Sequence, residues 1–297
     1  MHHYQLYQLK VASAFLIKGL PETDPISLPD VVVKPGAVNR PSKTDKAGLE
    51  KPDSIAYQDC YFLELEGIAR YLVKGNKKVI IEVLGTEEDA MVFFFDTILT
   101  VLLLRHNLFP FHGAAIKGKE GAIIISAHGG GGKSALAMSL MKKGYEFIED
   151  DRCLLHWDKV DERIKIRNYI PFIDLWKDVS PFTEHIPKLK LLHPLRPNIQ
   201  KYRYDASEVI MAGDIPVQKI LCISISNLNR EITHKEMTGI VKCRVAKAHT
   251  HLDHLIPYVS DPQVHFNYLY KTLSNVTVLR VKRSSLTKLP EFSNYIE

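Results

Sequence analysis

The chain has 297 residues, 45% of them hydrophobic and 25% charged, with a formal charge of +5. That length holds one large domain or two ordinary ones with a substantial core, and the composition is that of a soluble globular protein. The mild positive charge comes with no Lys/Arg block, which argues against a nucleic-acid tail; a basic mouth around a polyanionic ligand accounts for the surplus equally well. Four scattered cysteines (Cys60, Cys153, Cys222, Cys243) form no CxxC pair, so neither a zinc site nor a disulfide framework is indicated, and reduced thiols in a cytoplasmic protein are expected. No charged-then-apolar leader is read at the N-terminus.

In chain order, residues 1–20 predict one or two strands ending at a Gly-Leu-Pro turn. Residues 26–53, rich in Pro, Lys, Ser and Asp, predict a long polar loop. "YFLELEGIARYLVKGNKKVIIEVL" alternates as a strand meander, with Gly67 and Gly75-Asn76 at the turns. Then comes "MVFFFDTILTVLLL" (Met91–Leu104), interrupted by Asp96 and closed by Arg105. It is too short for a membrane span, which takes roughly 20 residues, and predicts a buried core helix over 88–105.

The central stretch is the most explicit. "GAIIISA" (Gly121–Ala127) predicts a fully buried strand. "KSALAMSLMKK" (Lys133–Lys143) predicts a helix stopped by Gly144, and "YEFIED" (Tyr145–Asp150) a returning strand. Strand, glycine loop, helix and strand make a phosphate-binding unit. Gly129, Gly130, Gly131 and Gly132 allow the backbone to curl its N–H groups around an anion, at the start of a helix whose dipole favours negative charge. Lys133 is placed to reach the β/γ-phosphates and Ser134 to ligate Mg²⁺. The pattern GxxxxGK[ST] appears as AxxxxGKS, with Ala127 in the first glycine's place.

Asp150 and Asp151 end the next strand, where one carboxylate can hold Mg²⁺ and the other can take a proton from an incoming hydroxyl. After Arg152 the sequence reads as short strands and loops, "VQKILCISIS" and "VTVLRVKRS" being the clearest strands. "HTHLDH" (His249, His251, Asp253, His254) has spacings compatible with a metal, but lacking a second cluster it is read as a surface segment.

The layout "FHGAAI … GGGGKS … LMKKGYEFIEDDR" resembles the catalytic domain of HPr serine kinase/phosphorylase and, more distantly, ATP-dependent phosphoenolpyruvate carboxykinase. "YQLYQLKVASAFLIKGLPE", "YIPFIDLWKD", "KYRYD" and "IPVQKILCIS" look like segments of HPr-kinase-like proteins from peptide-modification gene clusters, among which the lasso-peptide precursor kinases fit best. The N-terminal half does not resemble the regulatory domain of true HPr kinases.

The resemblance implies an α/β fold with a phosphoenolpyruvate-carboxykinase-like P-loop kinase core and mixed sheet over 88–297, beside a strand-rich subdomain over 1–87. It implies ATP or another nucleoside triphosphate at 129–134, Mg²⁺ at Ser134 and Asp150, and catalytic roles for Asp150, Asp151, His112 and Lys133. Asp151 is favoured as base, although the sequence leaves the assignment within the pair open. Arg152, Lys201, Arg203 and Arg244 are candidate phosphate or substrate contacts. "PFID" places Asp174 where such relatives often carry a basic residue. The implied activity is transfer of the γ-phosphoryl to a serine of a peptide, in its narrowest form the C-terminal serine of a lasso-peptide precursor. A kinase of a small hydroxylated metabolite and a non-catalytic nucleotide-dependent adaptor are the alternatives. The implied partner is the peptide substrate, with no nucleic acid or membrane, and a homo-oligomer is one option the relatives raise.

Overall fold

The computed structural model describes residues 1–42, 48–179, 183–186, 188–196, 199–211, 213–225 and 232–284. It is a mixed α/β chain with several sheets. Compactness divides it into Met1–Phe109 with Leu252–His265, and Pro110–His251 with the chain from Phe266 onward. The division falls after Phe109 rather than at 87/88, so the apolar helical stretch groups with the strands before it.

The first unit holds β1 (His2–Leu6), β2 (Leu9–Ser13), β3 (Val31–Pro35), β4 (Leu49–Glu50), β5 (Ser54–Ala56), β6 (Cys60–Leu65), β7 (Ala69–Lys74) and β8 (Lys78–Val83), in the sheet order β1-β2-β3-β8-β7-β6-β5-β4. The meander obeys the two-residue period of a half-buried strand: Ala69, Tyr71 and Val73 are buried on β7, Val79 and Ile81 on β8. Gly67 and Gly75 take the positive φ their turns need. One expectation fails here. The polar stretch 26–53 contains β3, which pairs in parallel with both β2 and β8. Its β-branched Val31 and Val33 are fully buried, and that packing outweighs the turn-forming residues around them.

The expected core helix is α1 (Glu87–Phe93), a π-turn (Phe94–Ile98) and α2 (Leu99–Arg105). Thr86 caps its start by accepting from the Asp89 N–H at 3.1 Å, and the apolar run Leu99–Leu104 is buried. Among the described residues no helix is long and apolar enough to cross a membrane, and all four cysteines are free.

The second unit contains β9 (Phe111–Lys117), β10 (Ala122–Ala127), α3 (Lys133–Met141), β11 (Glu146–Cys153), β12 (Leu155–Asp158), β13 (Arg163–Ile166), β14 (Phe172–Trp176), β15 (Lys190–Arg196), β16 (Ile199–Asp205), β17 (Ile215–Ile225), β18 (Thr233–Glu236), α4 (Gly239–Lys247) and β19 (Thr277–Arg283). The main sheet runs β11-β9-β10-β17-β13-β12, with β19 parallel to β17 and β18 antiparallel to β19. A smaller sheet runs β14-β16-β15.

β10 is apolar throughout because both of its faces are covered. Ile123 and Ile125 pack in one cluster with Leu136 and Leu140 of α3. Ile124 packs in another with Ile148, Ile220, Leu269 and Leu273. Leu269 and Leu273 lie on α6 (Pro262–Leu273), which follows the one-turn α5 (Ile256–Val259). α4 and α6 stand where the sequence read as strands and loops. Their β-branched and aromatic residues disguise the helical period, and burial of the Leu269/Leu273 pair one turn apart selects the helix for α6.

Ile124→Ala is expected to cost about 2–5 kcal/mol, seen as a lower urea midpoint, whereas Val160→Ala, at a position 91% exposed, stays within about 0.5 kcal/mol of wild type.

Candidate active site

The loop between β10 and α3 is shaped by its glycines in distinct ways. Gly130 (φ 74°) and Gly132 (φ 81°) occupy the left-handed region. Gly131 is required by space: a Cβ there would stand 2.4 Å from the Ala127 Cβ and 2.8 Å from the His128 carbonyl oxygen. Ala127, the departure from the usual first glycine, is therefore matched by tight contact with Gly131. At Gly129 a Cβ would meet nothing within 4 Å. Arg283 at the end of β19 braces the loop by donating to the Gly131 carbonyl at 3.0 Å. No side chain caps α3, which leaves its first N–H groups available to an anion.

β11 carries the two aspartates past this loop. Ser134 Oγ lies 3.4 Å from each carboxylate oxygen of Asp150. Burial and the neighbouring Asp151 charge push the Asp150 carboxyl up to about 6, against the pull of Lys133 and Lys201. Asp151 has φ 69°. For a non-glycine residue such a conformation costs on the order of 1–3 kcal/mol and persists only where its surroundings enforce it. The kink breaks the alternation that would send adjacent strand residues to opposite faces, so both carboxylates serve one neighbourhood.

Asp151 is surrounded by nitrogen. Oδ1 lies 3.4 Å from His112 Nε2, and Oδ2 lies 3.1 Å from the Arg152 guanidinium and 3.8 Å from His251 Nε2. Burial raises this carboxyl, but the His112 hydrogen bond and the Arg152 charge outweigh it and hold Asp151 well below the usual range. It is ionised at neutral pH and its side chain is 34% exposed. Arg152, a candidate substrate contact, is 4% exposed and faces Asp151. The preceding Glu149 is also buried, accepting from the Asp150 and Tyr169 N–H groups at 3.2 Å each. Burial pushes its carboxyl well above the normal range, and its oxygens brace the strand end.

His251 reaches this cluster because segment 249–251 bridges the start of β9. The His112 N–H donates to the His249 carbonyl at 2.9 Å, the His251 N–H to the Pro110 carbonyl at 2.8 Å, and Phe111 opposes Thr250. The surface reading of "HTHLDH" is thereby corrected for its first two histidines, which are 9% and 8% exposed. Ser126 Oγ donates to the His112 carbonyl at 2.6 Å and lies 2.8 Å from His249 Nδ1. A carbonyl only accepts, so the serine's one proton is committed there and the hydrogen between Ser126 and His249 belongs to Nδ1. The His249 ring stacks on His128 of the glycine loop, centroids 5.3 Å apart. Burial, first among several influences, pushes the His251 imidazole down to about 3, so it is neutral. The available sequence signal was the His-Thr-His alternation, which places two imidazoles on one side of an extended segment.

The other basic candidates separate. Lys201 on β16 acts electrostatically on Asp150. Arg203 is 6% exposed, grips Asp174 with two hydrogen bonds of 2.8 and 2.9 Å, and lies 3.6 Å over the Phe172 ring, so its fork is occupied within the small sheet. Arg244 is exposed on α4.

Two outcomes follow from this geometry. Gly131→Ala is expected to lower the melting temperature by several degrees, on the order of 1–3 kcal/mol of overpacking, while Gly129→Ala leaves it unchanged. Because folding raises the Asp150 pKa, the folded state binds more protons than the unfolded one between about pH 4 and 6. Stability is lost as pH rises through about 6, and Asp150→Asn relieves that loss. Without divalent ions the variant is expected to be more stable than wild type by about 1–3 kcal/mol near pH 8, with the gain vanishing near pH 3, as read by urea unfolding.

No family model matches the chain, and no curated protein matches it. Among solved structures, the HPr(Ser) kinase/phosphatase from Coxiella burnetii aligns over 63% of this chain and 92% of that chain, with 8% identity and a TM-score of 0.33. A likeness at that level carries no weight for fold or activity.

Proposed function

We propose that the chain is a nucleoside-triphosphate-dependent phosphotransferase with a phosphoenolpyruvate-carboxykinase-like P-loop core, transferring the γ-phosphoryl to a hydroxyl of a peptide serine. The carrying observation is the unequal environment of two adjacent carboxylates. Asp150 faces Ser134 beside the glycine loop, while Asp151 is held ionised and partly open to solvent by His112 and Arg152.

The residues present suit the reactants. The uncapped start of α3 and the curled loop 129–132 suit the phosphates, and Lys133 at the first helical position supplies a positive charge. Ser134 and Asp150 offer oxygen donors of the kind Mg²⁺ takes, and the bound ion would neutralise charge on the migrating phosphoryl group. With an ion there, Asp150 ionises more readily than burial alone permits.

Asp151 orients the acceptor hydroxyl and takes its proton as the new P–O bond forms and the bond to the departing nucleoside diphosphate breaks. His112 and Arg152 keep that carboxylate ionised and aimed. Its low proton affinity suits a loose transition state, in which the proton leaves late and positioning contributes more than basicity. Lys201 adds positive charge near Asp150. A peptide acceptor, in its narrowest form the C-terminal serine of a lasso-peptide precursor, is supported by the resemblance carried in "YQLYQLKVASAFLIKGLPE", "KYRYD" and "IPVQKILCIS".

Incubation with γ-labelled ATP, Mg²⁺ and candidate precursor peptides is expected to place label on a serine. Lys133→Ala and Asp151→Asn should each reduce the transfer rate by about 100-fold or more, with both proteins still folded. An Asp151→Asn enzyme at wild-type rate would remove that residue from the base role. Label appearing in metabolite pools and not in peptides would replace the acceptor class, and ATP binding without turnover toward any acceptor would favour an adaptor.

A further inference from the structure

His112, Asp151 and His251 present one ligand atom each, all within 4.8 Å of one another, from three separate places in the chain. We infer that these three residues form a binding site for a borderline divalent transition ion of the Zn²⁺ class, separate from the oxygen-only pair Ser134 and Asp150. Their spacing is loose for hydrogen-bond partners and near that of metal ligands. The His251 Nε2 to Asp151 contact, at 3.8 Å, is too long for a hydrogen bond, and the His112 contact, at 3.4 Å, is at its outer limit. Tetrahedral bonds of about 2.0–2.1 Å place neighbouring ligand atoms about 3.4 Å apart, so the set closes by up to about 1.4 Å around an ion.

His251 has a nitrogen that such an ion can use. Its Nδ1 is buried and has no hydrogen-bond partner. No neighbour fixes the tautomer of this ring, so the form with its proton on Nδ1 is open to it and leaves the Nε2 lone pair for an ion. A cation there would bond both that lone pair and the carboxylate. His112 meets His251 edge-on, ring centroids 5.0 Å apart, so the two rings converge on the carboxylate without stacking face to face.

The donor set selects the ion. Two imidazoles and one carboxylate favour Zn²⁺ and its neighbours over Mg²⁺, which prefers oxygen throughout. His112 and Asp151 are 31% and 34% exposed on their side chains and His251 is 10% exposed, so the set is anchored on the buried side and open on the other to water or a reactant oxygen. Arg152 lies 3.1 Å from Asp151 Oδ2, the oxygen that His251 Nε2 approaches at 3.8 Å, and its charge weakens cation binding there. Where Asp151 also serves as a base, ion and proton compete for one carboxylate.

The test is a Zn²⁺ titration of the metal-stripped protein against a chromophoric chelator, in excess Mg²⁺ and with no nucleotide or acceptor, so it is decided independently of phosphoryl transfer. One tightly bound equivalent is expected, weakened at least about 10-fold by His251→Gln and by His112→Gln and unaffected by Ser134→Ala or by His185→Gln, an exposed histidine elsewhere. Circular dichroism verifies folding of each variant, and His112→Gln, at a partly exposed position, decides the matter should His251→Gln misfold. Absence of a bound equivalent, or binding that both histidine variants leave intact, overturns the site.

Discussion

The antiparallel ladder between β9 and β11 is the constraint on which the site depends. Its register sets His112 opposite Arg152 and Gly113 opposite Asp151. Gly113 has no room for a side chain, since a Cβ would stand 2.9 Å from the Ile125 carbonyl oxygen of β10. The ladder therefore brings the aspartates alongside the strand that carries His112, and β10, on the other side of β9, delivers the glycine loop. A shift of one residue in this register would turn His112 to the opposite face and separate it from Asp151.

Around that ladder the structure concentrates charge where burial opposes it. Glu149, Asp150, Asp151 and Arg152 follow one another on one strand, and each meets a different environment. Glu149 is enclosed with backbone amides, Asp150 faces Ser134, Asp151 is clasped by one guanidinium and two imidazoles, and Arg152 is buried against Asp151. Adjacent titratable groups with proton affinities driven apart recur at functional sites. The left-handed backbone at Asp151 is the local cost of aiming both carboxylates into one neighbourhood.

Where periodicity was local, the sequence was a good guide. The buried strand β10, the helix after the glycines and the stop at Gly144 rest on an apolar run, helix-forming residues and a glycine with φ 92°, all of which act within a few residues. The strand meander of the first unit was legible for the same reason. β3 was hidden because three valines are too few to outweigh flanking prolines and lysines until β2 and β8 cover them. The helix of α6 was hidden because its residues favour strands in isolation.

Sequence alone thus determined the chemistry available at the loop: glycines able to curl, Lys133 and Ser134 at a helix start, and two carboxylates one short helix later. Only the tertiary structure decided what those groups meet. Pairing of segment 249–251 with the start of β9 converts a histidine-rich stretch into buried neighbours of Asp151 and of the glycine loop. The Asp174 contact removes Arg203 from the free positive charges. The physical reason is distance along the chain: backbone propensity and short-range spacing act within one element, whereas a carboxylate's proton affinity and ligands are set by side chains that only folding brings within a few ångströms.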